Sequence, residues 1–106
     1  MRTKIGAALV WLLLSSSTTQ ARIRLPHDYR AWSRVAHCES GGWTVLGAAY
    51  PDSLGMTAAN YVRFGGLPLR PGRVKLAARI RQIMVADRFI AHYHIGIPDT
   101  SGCGAW

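Results

Sequence analysis

Two cysteines place the strongest constraint on how this chain can fold. Cys38 and Cys103 are the only cysteines among the 106 residues, and two such thiols pair in an oxidising compartment. The disulfide would close a loop of about 65 residues and, by restricting the unfolded chain, contribute roughly 4 kcal/mol. A metal pair or a reactive thiol is the alternative, but the two cysteines lie far apart and lack Cys-x-x-Cys spacing.

The N-terminal segment predicts export to an oxidising compartment. Arg2 and Lys4 form a basic region, an apolar run occupies residues 5–14, and polar residues then lead to a Thr-Gln-Ala sequence that ends at Ala21. This order is typical of a secretory signal peptide cleaved after Ala21, and it leaves one domain over residues 22–106. The apolar run is short for a bilayer-spanning helix, although an uncleaved N-terminal anchor is the alternative.

The predicted mature chain is strongly basic. Removal of Arg2 and Lys4 leaves 11 of the 13 Lys and Arg residues against all 5 acidic residues, a net charge of about +6. Nucleic acid, an anionic membrane surface and an anionic wall polymer are all suitable partners for such a chain. The sequence contains no recognised nucleic-acid-binding motif, which argues against the first. A basic surface without a functional partner is the simpler alternative.

The first predicted helix carries the only glutamate of the chain. Asp28 is a suitable N-cap, and a Ser-Gly-Gly sequence that begins at Ser40 should end the helix. Between them Trp32, Ala36 and Glu39 recur on one face. Glu39 therefore lies in the last turn, where the negative end of the helix dipole and partial burial both favour the protonated acid.

A protonated glutamic acid can serve as a general acid. It can donate its proton to the leaving group of a glycoside, which makes Glu39 the first candidate catalytic residue. The alternative is a solvated helix-end residue paired with an arginine. A zinc site is unfavourable, because His37, Cys38 and Glu39 are consecutive on a helix and point in different directions. The sequence thus predicts neither a metal nor a cofactor.

The remaining segments predict a mainly helical α+β domain. Residues 42–55 are rich in glycine, small and aromatic residues and predict a short irregular β-hairpin. Thr57 should cap a short helix that ends at Phe64, and a third helix should run from about Gly72 to His94. The apolar stripe predicted for this third helix comprises Leu76, Ile80, Ile83, Ala86, Ile90 and Tyr93, widened by Ala77 and Met84.

Motifs distributed over residues 29–103 match one known family. Its pattern has a Trp, an apolar residue and an Ala before Cys-Glu-Ser-Gly-Gly, and Trp32, Val35, Ala36 and residues 38–42 match it. Further matches are Tyr50, Leu54, Tyr61, Phe64, Gly65, Gly66, Gln82, Ile83, Val85, Ala86 and Cys103. The chain resembles the transglycosylase-like domain of resuscitation-promoting factors, as a divergent member, because the family's Gly-Gly-Leu-Gln-Phe block is replaced at residues 52–56.

This resemblance implies a small lysozyme-like fold and an activity. The implied enzyme is monomeric and cleaves peptidoglycan glycan strands at the β-1,4 bond between N-acetylmuramic acid and N-acetylglucosamine. Glu39 takes the position of the catalytic residue, and Cys38 and Cys103 take the positions of the disulfide. The aromatic residues Trp43, Tyr50 and Tyr61 are candidates for substrate binding or, alternatively, for the core.

The number of carboxylates predicts the type of reaction. A glycoside hydrolase normally needs a second carboxylate at a fixed separation, and Asp52, in the predicted hairpin, is the candidate. If Glu39 acts alone, lytic transglycosylation is favoured, because the sugar's own hydroxyl then attacks. The alternative to both enzymes is a non-catalytic, cationic cell-wall-binding or membrane-active protein on the same fold.

Overall fold

The computed structural model describes residues 23–47, 50–100, 103–104 and 106. These residues form a small α+β fold with three helices and one two-stranded antiparallel sheet. No helix in this part of the chain is long and apolar enough to cross a membrane. The predicted signal peptide lies outside the described residues. In chain order the elements are α1 (Tyr29–Ser40), β1 (Thr44–Val45), α2 (Ala58–Arg63), β2 (Gly72–Arg73) and α3 (Leu76–Tyr93).

Helix α1 begins and ends where it was predicted, although the Asp28 side chain makes no capping hydrogen bond. Asp28 occupies the N-cap position, and Gly41 closes the helix in a left-handed conformation with φ of 75°, which a glycine adopts without steric cost. The Gly41 amide donates to the carbonyl of His37 over 2.9 Å. The buried face of α1 carries Trp32 and Ala36, both without exposed surface, so the helical spacing identified the correct face.

Helix α2 also forms where it was predicted. Thr57 is its N-cap, and the Thr57 side chain accepts a hydrogen bond from the Asn60 amide over 3.3 Å. This bond satisfies one of the amides that lack a partner at a helix start. Phe64 is the C-cap. The helix is therefore short because only six residues lie between its N-cap and its C-cap.

The sheet differs from the predicted hairpin. Strand β1 pairs with β2, with Thr44 opposite Arg73 and Val45 opposite Gly72, whereas the prediction placed its partner within residues 42–55. Gly72 has φ of 111°, a conformation that is not helical. The prediction that the third helix begins near Gly72 is therefore wrong, because these residues are used in the sheet and α3 begins at Leu76.

The buried face of α3 is only partly the predicted one. Ile83 and Ala86 are fully buried, but Leu76, Met84 and Tyr93 of the predicted stripe retain 36%, 49% and 44% of their exposure. Helices α1 and α2 both pack against α3, and their contacts bury a face of α3 that only partly overlaps the predicted stripe. The buried residues of α3 are Gln82, Ile83, Val85, Ala86 and Phe89.

The C-terminal tail returns to the first helix. The predicted disulfide is confirmed, and it joins Cys38 at the end of α1 to Cys103 with a Cα separation of 5.8 Å. Trp106 then stacks on Trp32 with ring centroids 5.6 Å apart and meets Phe89 edge-on at 5.0 Å. The tail thus packs an aromatic side chain against the core in addition to forming the covalent link.

Candidate active site

The carboxylate of Glu39 lies between a loop and the C-terminal tail. Its Oε2 accepts a hydrogen bond from the Gly104 amide over 2.9 Å. Its Oε1 lies against Gly55, where a Cβ atom would be only 2.5 Å from that oxygen. Gly55 also has φ of 81°, so both the space and the backbone conformation require glycine there. Glu39 is partly buried, and its position is fixed on both sides by backbone.

The Asp52 side chain accepts hydrogen bonds from the loop that contacts Glu39. Its Oδ1 accepts hydrogen bonds from the amides of Leu54 at 3.2 Å and Met56 at 3.1 Å. All five residues 52–56 are buried, so these amides have no access to water and need protein acceptors. A compact turn results, and it presents Gly55 to the glutamate.

Burial also changes the acidity of Asp52. Burial raises the pKa of Asp52 to about 6, while hydrogen bonds from the amides of Met56, Leu54 and Gly55 oppose that rise. The charge of Glu39 adds to it, which indicates that the two carboxyl groups are close enough to interact electrostatically. The structure therefore brings both predicted carboxylates to one region of the molecule.

The two carboxylates nevertheless differ in accessibility. Asp52 is only 1% exposed. Its Oδ2 has no hydrogen-bond partner among the described residues, although that oxygen is enclosed. An attacking water that contacts Asp52 would require the turn at residues 52–56 to open. Glu39 is the one of the two that retains contact with solvent.

Side chains of α1 and α3 contact the same loop. The Ser53 amide donates to Gln82 Oε1 over 2.8 Å, and Gln82 Nε2 donates to the Ser53 hydroxyl over 3.2 Å. From α1, the Ser40 hydroxyl oxygen lies 3.0 Å from the Ser53 carbonyl oxygen, and it is also within hydrogen-bond distance of the Ala36 and Gly42 carbonyls. The sequence predicted Gln82 only as part of a family motif. A glutamine within an apolar face is a signal for such an interior hydrogen-bonding role.

The tail residue Trp106 completes the support of the loop. Its indole Nε1 donates to the Leu54 carbonyl over 2.6 Å. Its amide donates to the Gly55 carbonyl over 3.2 Å, and its carbonyl accepts from the Thr57 amide over 2.8 Å. The turn that touches Glu39 is thus bonded to Trp106 at Leu54 and Gly55, and a third bond joins Trp106 to the N-cap of α2. No periodic pattern near Trp106 could have indicated this role.

The predicted substrate-binding aromatics occupy different environments. Trp43 is 7% exposed, stacks on Tyr29 with centroids 5.9 Å apart and donates its indole N–H to the Ser33 hydroxyl over 3.0 Å. Tyr61 is 4% exposed, and its hydroxyl donates to the Leu67 carbonyl. Both side chains therefore belong to the core. Tyr50 is only partly buried.

A second pair of carboxyl groups lies at the opposite end of α1. The Trp32 indole N–H is within 3.0 Å of both Asp28 Oδ2 and Asp87 Oδ1. Burial and the neighbouring Asp28 carboxyl raise the pKa of Asp87 to about 6. Asp28 is 11 residues before Glu39 on the helix, or about 16 Å along the axis. This pair links α1 to α3 and is too distant to assist Glu39.

Comparison with known proteins adds no relative from which function could be transferred. No protein-family model, curated protein or solved structure matches this chain. Among the residues that the structure describes, no three His, Cys, Asp or Glu side chains are grouped so that they could hold a metal ion.

Proposed function

We propose that the protein is a secreted enzyme that cleaves peptidoglycan glycan strands at the β-1,4 bond between N-acetylmuramic acid and N-acetylglucosamine. We further propose that its α+β fold is a divergent lysozyme-like fold. The observation that carries the proposal is the setting of Glu39. It is a partly exposed carboxylate at a disulfide-bonded helix end, fixed between Gly55 and Gly104, and fixed geometry is what a general acid requires.

In the proposed reaction Glu39 is the only catalytic acid and base. It donates its proton to the glycosidic oxygen as the bond from that oxygen to the anomeric carbon breaks. The hydroxyl on C6 of the same N-acetylmuramic acid then attacks the anomeric carbon, and its proton passes to Glu39. The product carries a 1,6-anhydro bond, and the starting form of Glu39 is restored.

Two features of the site support this single-carboxylate reaction. Asp52, the predicted second carboxylate, is buried, so it cannot direct a water while the turn at residues 52–56 stays closed. The Gly104 amide donates to Glu39 Oε2, and a hydrogen bond of this kind stabilises the carboxylate that forms after proton transfer.

The test uses purified protein and isolated peptidoglycan. Wild type should release soluble muropeptides with 1,6-anhydro ends, measured by mass spectrometry. Glu39→Gln should abolish release, because the amide cannot donate and regain the proton. Asp99→Asn is the matched control, since it removes one negative charge from an exposed residue and should preserve release. Products with only reducing ends would refute the single-carboxylate reaction.

The non-catalytic alternative is favoured by one observation. Gly104 already occupies one oxygen of Glu39, which reduces the space for a substrate. A cationic wall-binding protein on this fold would bind peptidoglycan without releasing muropeptides, and Glu39→Gln would leave that binding unchanged. Absence of release by wild type, together with such binding, would replace the enzymatic proposal with this one.

A further inference from the structure

A groove away from Glu39 combines apolar and cationic side chains. It lies between the loop at residues 65–69 and helix α3 and has a volume of about 280 Å³, close to the lower end of the range for small-ligand sites. Leu67, Met84 and Val85 are among its apolar lining residues. Leu67 is 65% exposed and Met84 49% exposed, so the groove presents apolar surface to solvent.

Two arginines give this groove its charge. Arg81 and Arg88 both line it, and they are seven residues apart on α3, about 10 Å along one face. Arg88 Nη1 donates to the Phe64 carbonyl over 3.0 Å. Among the described residues, none forms a hydrogen bond or ion pair with Arg81. At least one guanidinium is therefore available to an anion.

The lining of the groove contains cationic but no acidic side chains. None of the five acidic residues of the chain lines the groove. Asp87 precedes Arg88 in sequence, but its carboxylate Oδ1 is directed to the Trp32 indole at 3.0 Å. The groove thus complements a ligand that is both anionic and apolar.

The backbone of the loop argues against a peptide as this ligand. The amides of Gly65 and Gly66 already donate to the carbonyls of Val62 and Tyr61. The Leu67 carbonyl accepts the Tyr61 hydroxyl, and the next residue is a proline, which has no N–H. An extended peptide would find few partners for its own backbone. An acyl chain has no backbone N–H or C=O groups and therefore needs no such hydrogen-bond partners.

We propose that this groove binds anionic phospholipid at the surface of a bilayer. Leu67 and Met84 contact the acyl region, and the headgroup phosphate lies between Arg81 and Arg88. Exposed apolar side chains flanked by arginines are the combination by which proteins adhere to the interface of an anionic membrane. This function is separate from peptidoglycan cleavage and does not depend on Glu39.

The test is cosedimentation of the purified protein with lipid vesicles. At about 0.15 M salt, vesicles of phosphatidylcholine with about 30% phosphatidylglycerol should bind the protein, and pure phosphatidylcholine should bind it much less. The double variant Arg81→Gln/Arg88→Gln should weaken binding about thirtyfold, from about 1 kcal/mol per cation. Arg81→Gln alone, which removes no hydrogen bond, should weaken it about fivefold.

The matched control removes the same charge elsewhere. Arg30 and Arg34 are exposed on α1, and Arg30→Gln/Arg34→Gln should leave vesicle binding within about twofold of wild type. Circular dichroism verifies that each variant is folded. Equal losses for the two double variants would overturn the proposal, because net charge alone would then explain adhesion. Binding to soluble polyphosphate but not to vesicles would overturn it in favour of a polymer partner.

Discussion

The buried carboxyl group of Asp52 predicts a specific dependence of stability on pH. Its pKa is about 6 in the folded protein, against 3.8 for an ordinary aspartate. The folded state therefore binds this proton more tightly than the unfolded state does. The contribution of Asp52 to stability is fully present below about pH 3.8 and is lost as the pH rises through about 6.

The size of this effect follows from the two pKa values. Their difference is about two units, and each unit corresponds to about 1.4 kcal/mol, which gives a loss of about 3 kcal/mol between the two ends of the window. Because Asp52 is only 1% exposed, solvent screening reduces this figure little. Asp52→Asn removes the titrating group while keeping an oxygen that can accept from Leu54 and Met56.

The assay is urea unfolding of wild type and Asp52→Asn at about pH 3.5 and about pH 7. The comparison is the stability of wild type minus that of the variant, because other groups titrate in both proteins and largely cancel. This difference should fall by about 3 kcal/mol from the lower to the higher pH. A difference that stays constant would refute the reasoning, since Asp52 would then ionise equally well in both states.

Two further substitutions test the surroundings of Glu39. Gly55→Ala and the control Gly47→Ala both place a side chain at a positive φ, 81° and 96°, and this backbone conformation alone should cost each variant about 1 kcal/mol of stability. Gly55→Ala should lose more than Gly47→Ala, because only its Cβ would collide with Glu39. Only the new Cβ at position 55 would contact Glu39, so only Gly55→Ala should also reduce muropeptide release, on the order of a hundredfold. Equal release by the two variants would contradict a role of Gly55 in positioning Glu39. Trp106→Ala removes the stacking on Trp32 and the indole hydrogen bond to Leu54. The free energy of unfolding, measured in urea, should fall by about 2 to 3 kcal/mol. A fall of less than about 0.5 kcal/mol would contradict the packing of Trp106 against the core.

Local signals predicted the helices well because their determinants lie close together in the chain. Thr57 caps α2 through an amide only three residues away, and Gly41 closes α1 through a carbonyl four residues back. Such interactions are specified by residue type and spacing alone. The disulfide was predictable for a related reason, since a chain with two cysteines allows a single intramolecular pairing.

The sheet and the face of α3 were not predictable in the same way. Strands β1 and β2 are two residues each and lie 26 residues apart, so neither contains a repeat that a pattern search can detect. The buried face of α3 depends on the two helices that pack against it. Gln82 is buried there because Ser53, 29 residues away, offers it both a donor and an acceptor.

The sequence by itself determined that this chain has one glutamate, that it stands in the last turn of a helix, and that a disulfide joins the adjacent cysteine to the tail. Only the tertiary structure decided what surrounds that glutamate. Gly55 and Gly104 contact its two oxygens from opposite sides, and Asp52 is enclosed below. These relations join segments 13 to 65 residues apart, and the burial that separates the two carboxylates exists only once those segments are packed together.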